Sequence, residues 1–435
     1  MLKKILSYIF IFTILCSGNT NAKLFDGEEF YLDNGMRVIV IPNHKAPIVG
    51  HMVWYKIGAM DDPSNKAGIA HLLEHLMFKG TKRVKDFDRI ITENGGNGNA
   101  MTSYDYTAYH QNLDISKLEL AMFLEADRMK NLVFNQTEFL KERDVVFNER
   151  KQVVENNPAS EFAETFRRNL YQNHPYARPV IGTATEIMGL TLDDAKAFYK
   201  THYTPNNAIL ILSGDIDIPT AKTLANKYYG KISTPPIVEE AIQLNKTVKD
   251  TQNSTSVSTT SFTMRLPNIQ NSRYQRTYVT DNKNYALVIL AKYLGDGKTS
   301  ELYKTLVLNK KALINISTGY NGTNRGPGSF TISALLKNEK DPTDQITKEM
   351  DFIIKKMTEK DLEKTKEKLL SGLIFLKDNP FDAARIVGQM SITMSFDEIN
   401  SWSDNINAVT LNEVKEAYKA LQTSTNQTGL LLPQN

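Results

Sequence analysis

Two stretches far apart in the chain read alike, and this self-similarity constrains the fold more than any other feature. Thr191-Leu192-Asp193-Asp194-Ala195-Lys196-Ala197-Phe198-Tyr199-Lys200 recurs as Thr410-Leu411-Asn412-Glu413-Val414-Lys415-Glu416-Ala417-Tyr418-Lys419, at an offset of 219 residues. Each copy opens on a threonine ahead of an acidic first turn, which signals a capped helix start. Each is followed by an Asn-containing turn and a short apolar run, 209–212 and 430–432, suited to a buried strand. A second echo pairs Asn157-Pro158 with Asn379-Pro380, each closing a charged helical stretch. Similarity at a fixed offset implies duplication. It predicts an α+β fold of two homologous domains, each a mainly antiparallel sheet with helices packed on one face.

The chain divides accordingly into 23–232 and 259–435, joined by a linker at 233–258 that carries Pro235-Pro236 and polar residues of little periodicity. In the first half, 37–41 and 48–55 read as strands flanking a turn, and the chain turns helical from Lys66. Residues 1–22 show Lys3-Lys4, an apolar run from 5 to 16, and a polar stretch ending with Thr20 and Ala22 at the −3 and −1 positions of a cut. That is the pattern of a cleaved signal peptide, and it predicts secretion across the inner membrane into the bacterial periplasm. The run of 12 apolar positions is short of the roughly 20 that span a bilayer, so no transmembrane segment is expected after cleavage.

Composition narrows the chemistry. Of 435 residues 41% are hydrophobic and 23% charged, with a net charge of +3, which argues against disorder and against a basic nucleic-acid binder. The single cysteine, Cys16, falls inside the predicted signal segment. Any metal must then be held by histidine and carboxylate.

Such a set is visible in His71-Leu72-Leu73-Glu74-His75. At about 100° per residue, His71 and His75 lie about 40° apart on one helix face and can reach a single ion. Glu74 lies about 60° to the other side of His71, near the ion yet free to act as a base on water. With 7 histidines in the chain, a chance H-x-x-E-H is expected on the order of 0.01 times. This order is the inverse of the commoner zinc-protease helix motif and defines the inverzincins. Catalytic zinc takes three protein ligands, and a charged helix over 137–155 offers Glu142, Glu149 and Glu155 for the third. Glu142 and Glu149 share a face, so one could ligate while the other supports from behind. Spacing alone leaves that choice open. The remaining histidines, His44, His51, His110, His174 and His202, have no partners at ligand spacing and are expected to be structural or solvent-facing.

Over nearly all of 23–435 the sequence resembles the pitrilysin family of zinc peptidases, which includes insulin-degrading enzyme and mitochondrial processing peptidase. The likeness is densest in Gly68-Ile69-Ala70-His71-Leu72-Leu73-Glu74-His75-Leu76-Met77-Phe78-Lys79-Gly80-Thr81. It continues through Gly95-Gly96-Asn97-Gly98-Asn99-Ala100-Met101-Thr102, Glu142-Arg143-Asp144-Val145-Val146, His174-Pro175-Tyr176 and Tyr203-Thr204-Pro205-Asn206-Asn207. The resemblance implies that His71, His75 and Glu149 bind one Zn2+ per chain, with Glu74 the general base and Glu142 a supporting carboxylate. It also implies that Asn99, Ala100 and Met101 lie on an edge strand to which a peptide substrate adds as a further strand, a mode that reads backbone more than side chains.

The second half lacks these residues. The offset places Leu290, Tyr293 and Leu294 opposite His71, Glu74 and His75, and the Asn-Pro echo places Ser371 opposite Glu149. Active members of the family also use an Arg and a Tyr, seven residues apart, to grip substrate, and the corresponding positions here are Val307 and Ile314. In this the chain resembles zinc-bearing subunits whose homologous partner supplies the Arg/Tyr pair. The expectation is a zinc metalloendopeptidase or oligopeptidase working as half of a heterodimer. The alternatives are a homodimeric peptidase and a non-catalytic peptide-binding scaffold, against which the intact zinc constellation argues.

Overall fold

The computed structural model describes residues 23–234 and 259–434. The expected signal segment, with Cys16, and nearly all of the expected linker lie outside the described residues. Strands β1 (Glu28–Tyr31), β2 (Arg37–Pro42), β3 (Ile48–Tyr55), β4 (Asn97–Thr102), β5 (Thr107–Asp114) and β6 (Ala208–Gly214) form one sheet in the order β1-β2-β6-β3-β5-β4. Strands β7 (Thr259–Leu266), β8 (Arg273–Thr280), β9 (Leu313–Asn321), β10 (Gly328–Leu336) and β11 (Asn426–Pro433) form the other, in the order β7-β11-β8-β10-β9. Leaving β1 aside, the two orders are the same by position in the chain: first, fifth, second, fourth, third. In both, the first and fifth strands are parallel and every other pair is antiparallel. The duplication is therefore written in the topology.

The turn after β2 does not close a hairpin. β6 is wedged between β2 and β3, so both are interior strands and both are buried nearly throughout. Period-two alternation sends Val38 and Val40 to one face and Ile39 and Ile41 to the other. The first face is covered by α1 (Ile69–Leu76), α3 (Leu118–Asn131) and neighbouring helices of the same half, as expected. Helix α2 (Phe87–Glu93) leads into β4.

The second face of each sheet is covered by a helix from the other half. Ala383, Ala384 and Val387 of the helix Pro380–Ser391 pack on Ile39, Met52, Trp54 and Ile211 of the first sheet. In return, Phe162 and Phe166 of α5 (Pro158–Tyr171) pack on Leu431 of β11 and on Phe262 and Met264 of β7. Both crossing helices begin at the Asn-Pro echo. Asn157 accepts from the amides of Ala159 and Ser160, and Asn379 from those of Phe381 and Asp382, each with proline in the first turn. Each dipeptide thus opens a helix that crosses to the other half as well as closing the stretch before it. The 219-residue echo is likewise a pair of capping boxes, Thr191 with Asp194 and Thr410 with Glu413.

The halves are also joined by Arg325, in the connection between β9 and β10, which makes a two-pronged ion pair with Asp61 at 2.7 and 2.9 Å. No helix among the described residues is long and apolar enough to cross a membrane.

Candidate metal centre

The helix expected from Lys66 begins at Ile69, because the chain must first pass through Gly68 at a φ of 95°. A side chain at Gly68 would bring its Cβ to 2.6 Å from the carbonyl oxygen of Ile181, so only glycine fits. Asp62 accepts from the amides of Gly68 at 2.7 Å and Ala70 at 3.1 Å, fixing the first turn of α1. Ile69, Leu72, Leu73 and Leu76 face the core at helical spacing. His71, Glu74 and His75 are left on the opposite face, where they line a cavity of about 630 Å3.

Across that cavity runs α4 (Gln136–Arg150), which loosens into a π-helical turn at Lys151–Glu155. Such a turn shifts the side chains that follow it off the regular helix face. Glu149, two residues before Lys151, enters the cavity, its Oε2 3.5 Å from Nε2 of His75 and 3.9 Å from Nε2 of His71. Ligand atoms of the three residues lie within 4.8 Å of one another, and no other group of three or more His, Cys, Asp or Glu side chains meets that standard among the described residues. Bonds of 2.0–2.2 Å in a tetrahedral zinc site set donors about 3.3–3.6 Å apart. The His2Glu set fits such an ion with small adjustments.

Glu155 is turned away, 3.5 Å from Nε of Arg150. Glu142 stands behind His75, its Oε2 3.3 Å from Nδ1, and its other oxygen accepts from Lys79 Nζ at 2.7 Å. That bond favours the tautomer with the proton on Nδ1 and the lone pair of Nε2 facing Glu149. Burial, then the neighbouring His75, pulls the pKa of His71 down to about 4, against the opposing charge of Glu149. For His75 burial acts the same way, but the hydrogen bond to Glu149 and the nearby carboxylates outweigh it and its pKa rises. Burial raises the Glu74 carboxyl, and a hydrogen bond from Thr102 Oγ1 partly offsets this.

Strand β4 is the edge of its sheet beside β5, so its outer backbone groups face away from any strand of the described residues. Ala100 and Met101 line the cavity, as do Thr102 and Tyr104, whereas Asn99 does not and instead accepts from the Ala100 amide at 2.8 Å. Sequence reasoning missed Thr102, Tyr104 and the α5 residues Ser160, Ala163 and Arg167 that complete the wall. Thr102 stood inside a quoted motif, but nothing in its spacing tied it to Glu74.

In the second half, Leu290 and Leu294 are fully buried in the core and Ser371 donates to the carbonyl of Glu367 at 2.7 Å. The other histidines are occupied elsewhere. His44 pairs with Asp215, His51 is buried between Gln111 and Tyr229, His110 meets the Phe381 ring, His174 caps the Tyr176 amide, and His202 packs on Phe198.

Comparison with known proteins bears on both halves. Residues 37–184 match the family described as Insulinase (Peptidase family M16), and residues 189–369 match Peptidase M16 inactive domain. The chain is 31% identical over 327 residues to zinc protease PqqE of Helicobacter pylori, spanning 73% of this chain and 71% of that protein. It is 25% identical over 436 residues to the probable mitochondrial-processing peptidase subunit beta of Arabidopsis thaliana, spanning 96% and 80%. The crystal structure of a protease from Helicobacter pylori superposes with a TM-score of 0.84 at 25% identity, covering 94% of this chain and 99% of that one. Two like halves and relatives named zinc proteases support a peptidase. The chain belongs to peptidase family M16, the insulinase or pitrilysin-like family.

Proposed function

We propose that the chain is a zinc-dependent endopeptidase or oligopeptidase that hydrolyses peptides or unfolded segments, with one zinc ion per chain held by His71, His75 and Glu149. The observation that carries this reading is the meeting of these donors with Glu74 in one cavity bounded by the open edge strand β4. A zinc ion supplies Lewis acidity toward the scissile carbonyl and lowers the pKa of water to about 7. Glu74 takes the proton from the attacking water and passes it to the leaving amine; its raised pKa suits a group that must both accept and release a proton. Glu142 holds His75 in the ligating tautomer. β4 pairs with the substrate backbone at Ala100 and Met101, and Asn99 extends the same edge.

The test is Glu74→Gln. The purified variant keeps about one zinc per chain and loses turnover of an unstructured peptide by about a hundredfold or more. Normal activity in that variant refutes Glu74 as the general base, whereas a zinc-loaded wild-type chain that binds peptides without cleaving them, alone or with a homologue carrying the Arg/Tyr pair, leaves the scaffold alternative in its place.

We further propose that the chain is the zinc-bearing subunit of a two-chain enzyme exported to the periplasm. Val307 and Ile314 at the expected Arg/Tyr positions support the first part, as does likeness to a relative named as a subunit. The pattern of residues 1–22 supports the second. A pure preparation of this chain cleaves peptides poorly until a homologue with the Arg/Tyr pair is added. High activity of a monodisperse sample alone would refute this, and the mass of that active species identifies a self-dimer if there is one.

A further inference from the structure

The wall of the cavity away from the metal ligands is built by α5. The face of α5 that carries Phe162 and Phe166 is committed to the second sheet. Ser160, Ala163 and Arg167, at helical spacing on another face, line the cavity with Glu74 and the ligands. Ser160 and Ala163 are small and leave room for a substrate side chain. Arg167 stacks on two rings, with its guanidinium carbon 4.3 Å from the centroid of Tyr104 and 5.5 Å from that of Tyr171.

The charges of the wall are distributed unequally. Glu164, also in the cavity lining, is engaged by Arg150 through two hydrogen bonds of 3.1 Å. Arg167 has no ion pair and no hydrogen bond among the described residues. It is the one lysine or arginine in the lining, and its five N–H donors meet no protein acceptor among the described residues. A stacked guanidinium is held in orientation by the rings while its donor edge stays available, the arrangement that reads a carboxylate two bonds at a time.

We propose that Arg167 is a specificity-determining residue that selects peptides carrying an Asp or Glu side chain close to the scissile bond. This rests on the peptidase reading above. Backbone pairing along β4 accepts many sequences, and Arg167 supplies a side-chain preference on top of it. The stem of Arg167 and the ring of Tyr104 form the apolar floor, Ser160 and Ala163 the opening, and the carboxylate of the substrate replaces water on the guanidinium edge.

The experiment uses full-length, zinc-loaded Glu74→Gln protein, which separates binding from turnover. Fluorescein-labelled decapeptides of one neutral sequence carry Asp, Ala or Lys at a single position, scanned along the peptide, and binding is read by anisotropy. At one position the Asp peptide binds at least about tenfold more tightly than the Lys peptide, as expected for a charge-assisted hydrogen bond pair. Added Arg167→Glu reverses that order, and Arg167→Met, which keeps the stem on Tyr104, abolishes it without reversal. An arginine that only props up the wall would weaken all three peptides alike. An unchanged ranking in Arg167→Glu, at full zinc content and unchanged melting temperature, overturns the inference. Tight binding of every peptide with no ranking in the parent protein overturns it too while leaving the peptidase reading intact, whereas no binding of any peptide overturns both.

Discussion

Glu74 sits between two opposing influences, burial that raises its pKa and a Thr102 hydroxyl that favours its charged form. As the proposed general base, Glu74 works only when ionised, so activity is expected to fall on the acid side as pH drops through its pKa. Thr102→Val removes the bond that favours the carboxylate, and the acid limb of kcat/KM is expected to move to higher pH, with a fall of about tenfold in kcat at neutral pH. A pH profile with an unmoved acid limb would separate Thr102 from Glu74. At the proposed third ligand, Glu149→Ala is expected to strip zinc from the purified protein, while Glu155→Ala leaves it bound, as metal analysis would show. The His71, Glu74 and His75 arrangement was legible because a helix of known period fixes all three from five consecutive letters. Glu149 was not separable from Glu142 and Glu155 by spacing, since the choice is made by the helix loosening after Arg150 and by Arg150 drawing Glu155 aside. Thr102 and Arg167 were illegible because they reach the cavity from a strand and a helix whose placement no local period encodes.

At the scale of elements, the repeated capping signals were the most readable part of the chain. Thr191 and Thr410 announced helices that the structure contains, and the apolar runs after them are the central strands β6 and β11. The Asn-Pro echo was read only as punctuation, because a cap says that a helix starts and not what it packs against. Asn157→Ala and Asn379→Ala are each expected to cost about 1 kcal/mol of stability in denaturant titrations. A harsher test is Gly388→Leu. A Cβ there would sit 2.2 Å from the ring of Trp54, so the helix Pro380–Ser391 could not keep its seat on the first sheet. The cost should reach about 1–3 kcal/mol or more, with Trp54 fluorescence shifting to the red; a wild-type melting curve would show that the contact is slack.

For the molecule as a whole, the sequence predicted two homologous domains but not that each lends a helix to the other. Within one half, the strand pattern of β2 and β6, apolar on both faces, was the available clue that a second cover was needed. Phe166→Ala, on the helix that the first half extends under β11, is expected to cost about 3–5 kcal/mol. Because the loss lies between the halves, it should lower one shared unfolding transition and not split it, as calorimetry would reveal. The exchange of helices also carries a consequence for ancestry and assembly. Each half is half of a handshake, so a single-copy ancestor could have closed its bare sheet only by embracing a twin. Cutting the present chain between residues 234 and 259 should recreate that condition: two fragments insoluble apart and, when co-expressed, knitting back into one zinc-binding particle.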